Sequence, residues 1–468
     1  MTDELPPTPE PSIFERMRTR LTPDGVPSDD RGRMRMVVDS LILHLHPTKI
    51  PDRTLRWTYT WGLGGLAAVL MMVLALTGVV LLNNYTPAAP QAYLDILELN
   101  SNVWFGELMR NLHHWSANLL IIVAVLHLIR VFITGAYRPP RELNWLLGML
   151  MLILVLASNF TGYLLPWDQL AYWAITVGTS IISYLPIIGN WLTRLILGGP
   201  EVGPNTLLNF YSMHIALIPL AIFGIMSYHF WRVRKDGGLS IPKSLDESES
   251  GAEIKLERLT TIPNLVQKEL IYAIAWVAAL LIFAMLVPAP LESIANPDLS
   301  PNPAKAPWYF MGLQEMLLHF HPLVGAILIP GLVILGIFLL PFFDLNPRNV
   351  GVYFRSRRGR ALTLLAAGIA LIATPAWVLL DEYLLDWTGW LPSWPSLISN
   401  GLIPLLVITI PLILLDDWVR KSFQADTEER VLFIATFIFT AFIILTITGI
   451  FFRGPGMALY LPWNMPTH

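Results

Sequence analysis

Long apolar runs alternate with short polar segments along most of the chain. The runs occupy roughly 62–83, 112–134, 144–165, 208–231, 270–288, 323–343, 361–380, 402–416 and 431–452. A helix rising 1.5 Å per residue needs about 20 apolar residues to cross about 30 Å of hydrocarbon, and all but one of the runs come close to that length. The eighth is short, carries Pro404 and Pro411 and ends in Asp416 and Asp417, so it reads as a weak span, either crossing or re-entrant. The pattern predicts an all-α, polytopic transmembrane helical bundle of eight or nine spans. Ahead of it, residues 1–30 are polar and Pro-rich, as a tail is. Arg31 to His46 mixes charged and apolar residues, as an amphipathic helix on the membrane surface does, with His44 and His46 as surface residues. No short apolar stretch precedes a small-residue cleavage site, so no signal peptide is expected.

Charge sorts the loops. Lys and Arg gather before the first run (Arg53, Arg56), after the second (Arg138, Arg141), after the fourth (Arg232, Arg234, Lys235, Lys243) and after the sixth (Arg355, Arg357, Arg358, Arg360). Every second loop is basic, which puts the N-terminus in the cytoplasm by the positive-inside rule. The loop between the seventh and eighth runs carries Asp381, Glu382 and Asp386, as an outer loop does.

Two runs carry paired histidines. His113 and His127 are 14 apart in the second, and His214 and His229 are 15 apart in the fourth. At 100° per residue these steps fall about 40° short of and about 60° past four full turns, so each pair shares one helix face, with roughly 21 to 23 Å between its members. A lone histidine in an apolar helix is ordinarily a satisfied core residue. Four in matched register are not, because ionisable groups in hydrocarbon are costly and neutral imidazole is a common axial ligand of haem iron. His114 lies about 140° off the face, so the register selects His113. Both runs cross from outside to inside, pairing His113 with His214 near the outer face and His127 with His229 near the inner. Two non-covalent b-type haems are expected there.

Gly64 and Gly78 in the first run and Gly148 and Gly162 in the third are also 14 apart. Small residues are common in membrane helices, yet two pairs at the histidine spacing suit flat macrocycles that need close backbone approach at two heights. Arg110 and Arg130 each sit three residues from a histidine, toward the membrane surface, where they suit haem propionates.

Composition agrees. Of 468 residues, 54% are hydrophobic, 14% are charged and none is cysteine, which excludes disulfides, thiolate metal sites and thioether-linked haem. A transporter would have the spans without the haem register. A di-haem anchor of a dehydrogenase would ordinarily have four or five spans and no glycine ladder.

The stretches LHHW, VLHLIRV, SMH and YHF, the four glycines, TGYLLPWDQLAYW (Thr161 to Trp173) and PNPAKAPWYF (Pro301 to Phe310) resemble cytochrome b, the membrane core of quinol-oxidising cytochrome bc complexes. The likeness covers roughly residues 40 to 345. The 15-residue separation looks more like the chloroplast and Gram-positive branch, which usually splits the protein near residue 240; here one chain carries both parts. The resemblance implies a quinol:cytochrome c (or similar acceptor) oxidoreductase. Quinol would be oxidised near the outer face with its two electrons divided, one crossing through the b haems to reduce quinone near the inner face, and protons would be translocated. It implies a Rieske iron-sulfur protein and a c-type cytochrome as partners, a homodimeric complex in the bacterial inner membrane, and no nucleic acid.

By the same analogy, the outer quinol pocket uses Gly162, Pro166, Trp167 and Tyr172 with Trp308 and Tyr309, and Arg234 and Lys235 lie near the inner quinone. Three departures stand out. The family's Pro-Glu-Trp-Tyr loop reads Ala306, Pro307, Trp308, Tyr309 here, without the carboxylate. Glu315, seven residues after Trp308, is the expected substitute proton acceptor, with His319 or His321 as relay; a structural ion pair is the alternative. The branch's third haem hangs on a cysteine aligned with Gly62, so only a non-covalent third haem remains open. The C-terminal extension suggests docking of an added subunit. The expected divisions are a tail and surface helix (1–50), a di-haem four-helix domain (51–240), a cytoplasmic linker (241–266), a quinol-site domain (267–345) and further C-terminal membrane helices (346–468).

Overall fold

The computed structural model describes residues 49–250, 255–343 and 350–466. The expected surface helix at Arg31 to His46 lies outside them. Among the described residues, nine helices are long and apolar enough to cross a membrane: Leu63–Leu82, Gly106–Ile133, Glu142–Leu164, Pro204–Lys235, Asn264–Leu286, Leu323–Phe342, Arg357–Tyr383, Ile398–Phe423 and Thr427–Phe451. They are called spans one to nine below. Large apolar side chains on them face outward, Leu76 at 65% and Ile372 at 75% exposure, which suits a lipid surround because nothing in water would cover them. The fold is that of a multi-pass membrane protein.

Spans one to four form the first bundle around a core of Leu66, Leu70, Leu120, Ile121, Val155 and Ile222. Span five closes its side through Leu280 and Ala284. Buried polar groups at one end of span two fix this contact: Asn111 donates to the Ala284 carbonyl and accepts from the Ala289 amide, and Trp115 donates to the Val287 carbonyl. At the opposite end, Lys49–Pro51 pairs antiparallel with Arg258–Thr260, tying the segment before span one to the one before span five.

Three spans contain a wide, π-type turn: Met213–Leu217, Leu323–Leu328 and Ile398–Leu402. In each, a proline stands two residues further on, at Pro219, Pro330 and Pro404. Proline lacks the N–H for the carbonyl four residues back and its ring crowds that oxygen. The wide turn relieves the crowding by bonding five residues apart, as from the Ile218 amide to the Met213 carbonyl. The Asn400 carbonyl, which Pro404 leaves without its usual donor, accepts instead from the His321 amide at 2.7 Å.

The eighth run is corrected by the structure. Its helix covers Ile398–Phe423, 26 residues, because the wide turn continues it past Pro404 and the polar last turns continue it past Asp417. Its first turn abuts His321 at the start of span six, and Asp416 near its far end pairs with Arg430 at the start of span nine. Span nine then returns, so that Arg453 beyond it meets Glu382 in the last turn of span seven. A re-entrant eighth segment would not place these groups together.

Candidate functional site: two histidine pairs and an apolar cavity

Spans two and four carry the histidines between spans one and three, which carry the glycines. A Cβ placed on Gly78 would lie 3.3 Å from His113 Cε1, and one on Gly64 would lie 3.3 Å from His127 Cε1. On span three, a Cβ on Gly162 would lie 2.5 Å from His214 Cε1, and one on Gly148 would lie 3.7 Å from His229 Cε1. Each of the four glycines thus faces one of the four imidazoles, and at all but Gly148 a methyl would crowd the ring. The two glycines of span three are 14 apart and their histidines 15. The wide turn at Met213–Leu217, which contains His214, takes up the extra residue.

The rings of His113 and His214 stand 6.1 Å apart, centroid to centroid. Iron bound by one nitrogen of each ring would set the centroids about 6 Å apart, from about 2 Å per metal–nitrogen bond and about 1 Å from nitrogen to ring centre. The other nitrogens are already engaged. His214 Nδ1 lies 2.9 Å from the Ser158 carbonyl, which can only accept, so Nδ1 carries the proton. His113 Nδ1 lies 2.9 Å from Thr77 Oγ1, whose own hydrogen goes to the Val73 carbonyl, so the ring again donates from Nδ1. Both Nε2 atoms keep a lone pair, the tautomer an axial ligand requires. The donor set and the glycine cradle therefore fit haem. Sequence reasoning missed Thr77 and Ser158; hydroxyls and carbonyls in apolar helices carry no signal until the packing is known.

The arginines separate. Arg130 is buried, donates from Nε to the Tyr59 carbonyl, and keeps an Nη2 without a hydrogen-bond partner, as a group waiting for an anion would. Arg110 spends Nη1 and Nη2 on the Ala289 and Pro290 carbonyls, so its visible work is fastening span two to the chain leaving span five. The tyrosine ring of Tyr272 fills the space beside Gly62, and its hydroxyl bonds the Trp61 carbonyl, so the position aligned with the third-haem attachment is packed with protein.

An apolar cavity of about 240 Å³ lies on the other face of span three, walled by Ala157, Phe160, Trp173, Pro307, Phe310 and Leu313 among others. It adjoins the His113–His214 end, since Ala157 and Phe160 flank the Ser158 that holds His214. The expected pocket residues are its neighbours rather than its walls. Trp167 and Tyr172 are buried against one another in the core, with rings 5.7 Å apart, and Pro166 precedes them in the turn that brings them there. Trp308 is 37% exposed and donates to Asn118 Oδ1, while the Tyr309 hydroxyl is buried without a partner. At the other end of the bundle, Arg234 and Lys235 occupy the last turn of span four, Lys235 over the Trp231 ring, and Asp236 pairs with Arg232. Burial pushes the Asp236 carboxyl up to about 6 despite that arginine.

Glu315 stands in a structural ion pair, the alternative the sequence left open. It is fully buried and both oxygens take hydrogen bonds from Arg453, at 2.7 to 3.1 Å. His319 Nε2 lies 3.3 Å from it, and His319 Nδ1 lies 2.7 Å from Asp381. Burial alone would raise its pKa, but the bonds from His319 and Arg453 outweigh that and hold the carboxyl below its ordinary value. Such a group keeps its charge and resists a proton. Sequence spacing gave no sign of Arg453, which lies 138 residues away.

The comparisons with known proteins agree with this geometry. Residues 52–237 match the family described as Cytochrome b/b6/petB. The chain is 39% identical over 175 residues to cytochrome b6 of Prochlorococcus marinus (strain MIT 9215), covering 37% of this chain and 80% of the relative. It is 41% identical over 180 residues to the menaquinol:cytochrome c reductase cytochrome b subunit of Bacillus subtilis (strain 168), covering 38% and 80%. The chain belongs to the cytochrome b family. A longer match, 34% identical over 313 residues, joins this cytochrome b to the cytochrome bc complex cytochrome b subunit of Chlorobaculum thiosulfatiphilum, covering 66% of this chain and 71% of the relative. A solved structure titled "Hyperthermophilic respiratory Complex III" shares the fold with a TM-score of 0.60 at 23% identity, over 90% of this chain and 97% of that one. Membership implies haem b and a part in membrane electron transfer.

Proposed function

We propose that this cytochrome b is the membrane subunit of a quinol:cytochrome c (or similar acceptor) oxidoreductase of the bc type. It would work beside a Rieske protein and a c-type cytochrome in a homodimeric complex of the bacterial inner membrane. The relatives' roles in bc complexes support the complex, and the alternation of basic loops supports a cytoplasmic N-terminus. The observation that carries the reading is the His113–His214 pair at haem spacing beside an apolar cavity large enough for a quinol ring.

His113 and His214 would hold one haem and His127 and His229 a second, with Arg130 taking a propionate on the inner side. Two haems so held would supply a one-electron path between the faces. The chain's own part is positional. Thr77 and Ser158 fix the imidazole tautomers, the glycines admit the rings, and the walls of spans one to four keep water from the path. Phe160, Trp173 and Phe310 offer aromatic faces to a quinol head group in the outer cavity. Near the inner face, Asp236, Arg232 and Lys235 supply titratable groups at the end of span four, where quinone reduction takes up protons.

A redox titration of the purified protein tests the reading. It should show two b-type components, and His214→Ala should abolish the outer one while leaving the inner. A single b haem, or none, would refute it.

A further inference from the structure

The walls of the outer cavity are apolar apart from Lys305 and Gln314. Among the described residues lining it, Lys305 alone is ionisable. It sits in the loop that lacks the family's carboxylate, one residue before Ala306. Its placement is built rather than incidental. Gln314, from the helix Met311–His319, accepts the Ala306 amide at 2.7 Å and donates to the Ala304 carbonyl at 2.7 Å, pinning the backbone on both sides of Lys305. The Lys305 ammonium donates to the Ile450 carbonyl at 2.9 Å, in the last turn of span nine. The carbonyl end of a helix carries partial negative charge and favours a cation. One of three ammonium donors is spent there, and half-burial lowers the lysine pKa below its ordinary value, so a further acceptor in the cavity would stabilise the cation.

Resting on the proposed function, we infer that Lys305 is the quinol-binding residue of the outer cavity, its ammonium donating to one quinol oxygen. A quinol loses two protons and two electrons on oxidation. When the first O–H bond breaks, the proton passes to water at the loop and the bonding pair stays on oxygen as a phenolate. The ammonium beside that oxygen stabilises the charge. The two electrons then leave singly to the one-electron acceptors of the complex, the second proton departs, and neutral quinone remains, to which the ammonium binds less tightly. A fixed cation thereby does by stabilising the anion what a carboxylate base would do by removing the proton. Span nine, which the sequence left without chemistry, holds that cation in place.

The test is Lys305→Met in the assembled complex, driven by a short-chain naphthoquinol. Loss of a charge-assisted hydrogen bond predicts a fall of about tenfold or more in the rate of quinol-driven b-haem reduction. The dithionite-reduced spectrum should stay normal, and Lys305→Arg should restore most of the rate. Should Lys305→Met fail to assemble, an azido-naphthoquinone photolabel on the unaltered complex decides, and it should mark residues 301–317. Wild-type rates in Lys305→Met, or labelling that avoids this segment, would overturn the assignment. If the unaltered complex takes no electrons from quinol at all, the functional reading itself fails instead.

Discussion

At the scale of single residues, the histidines face four glycines, which the site does not need equally. Glycine in a helix interior ordinarily costs about 0.5–1 kcal/mol relative to alanine, so a Gly→Ala change with nothing nearby should stabilise the protein. The four positions differ in what the new methyl meets. At Gly148 the nearest atom is 3.7 Å away, an ordinary contact, whereas at Gly162 three atoms of the His214 ring lie within 3.1 Å. His214 cannot swing aside freely, since its Nδ1 is tied to Ser158. Gly162→Ala should therefore lower the haem content of the outer site or shift its midpoint potential, while Gly148→Ala keeps both haems. Haem-to-protein ratios and redox titrations of the two variants make the comparison. Equal behaviour of the pair would mean that the glycines serve helix packing alone.

At the scale of the element, histidine register was legible because 100° steps along an apolar run need nothing but the sequence. The wide turns were not, because hydrophobicity looks alike in an α and a π turn; the visible sign was a proline two residues beyond each. This is why counting from His214 to His229 overshot the face, and why Pro404 hid the first turn of span eight. The ion pair of Glu315 was illegible for a different reason. His319 is four residues on in the same helix, but Arg453 lies just past span nine, which only the tertiary fold brings beside it. The register argument makes a deletion test possible. Removing Ala216 from span four lets the wide turn close to an α turn, leaving His214 and His229 14 apart, about 40° from alignment as in span two. Removing Ala124 from span two, which has no wide turn, leaves 13 residues and a misalignment of about 140°. The first variant should retain both b haems and the second should lose one, counted by redox titration. Loss of haem in both would show that the wide turn has some use besides absorbing a residue.

At the scale of the whole molecule, the C-terminal helices turn inward. Whatever further subunit they dock, they also pack on the helix that follows the cavity loop. Gly312 of that helix admits Phe442 and Thr446, and Gly449 of span nine admits Met311. The contact closes at a buried ion cluster in which Arg453, 1% exposed, bonds Glu315, Glu382 and the Met457 carbonyl. A buried pair adds little net stability over an apolar substitute, because both charges lose water, but removing one partner strands the other at about 3–5 kcal/mol. Arg453→Met should accordingly destabilise the protein strongly, lowering the temperature at which the Soret band is lost. Adding Glu315→Gln should recover much of that loss, although Glu382 remains at the rim of the cluster. The asymmetry separates a clamp from a surface pair, which would be near neutral both alone and in combination. A clamp predicts more than a melting shift. The same span nine carries the Ile450 carbonyl that holds Lys305, so Arg453→Met should also raise the KM for quinol, and the double variant should bring KM back together with the melting temperature.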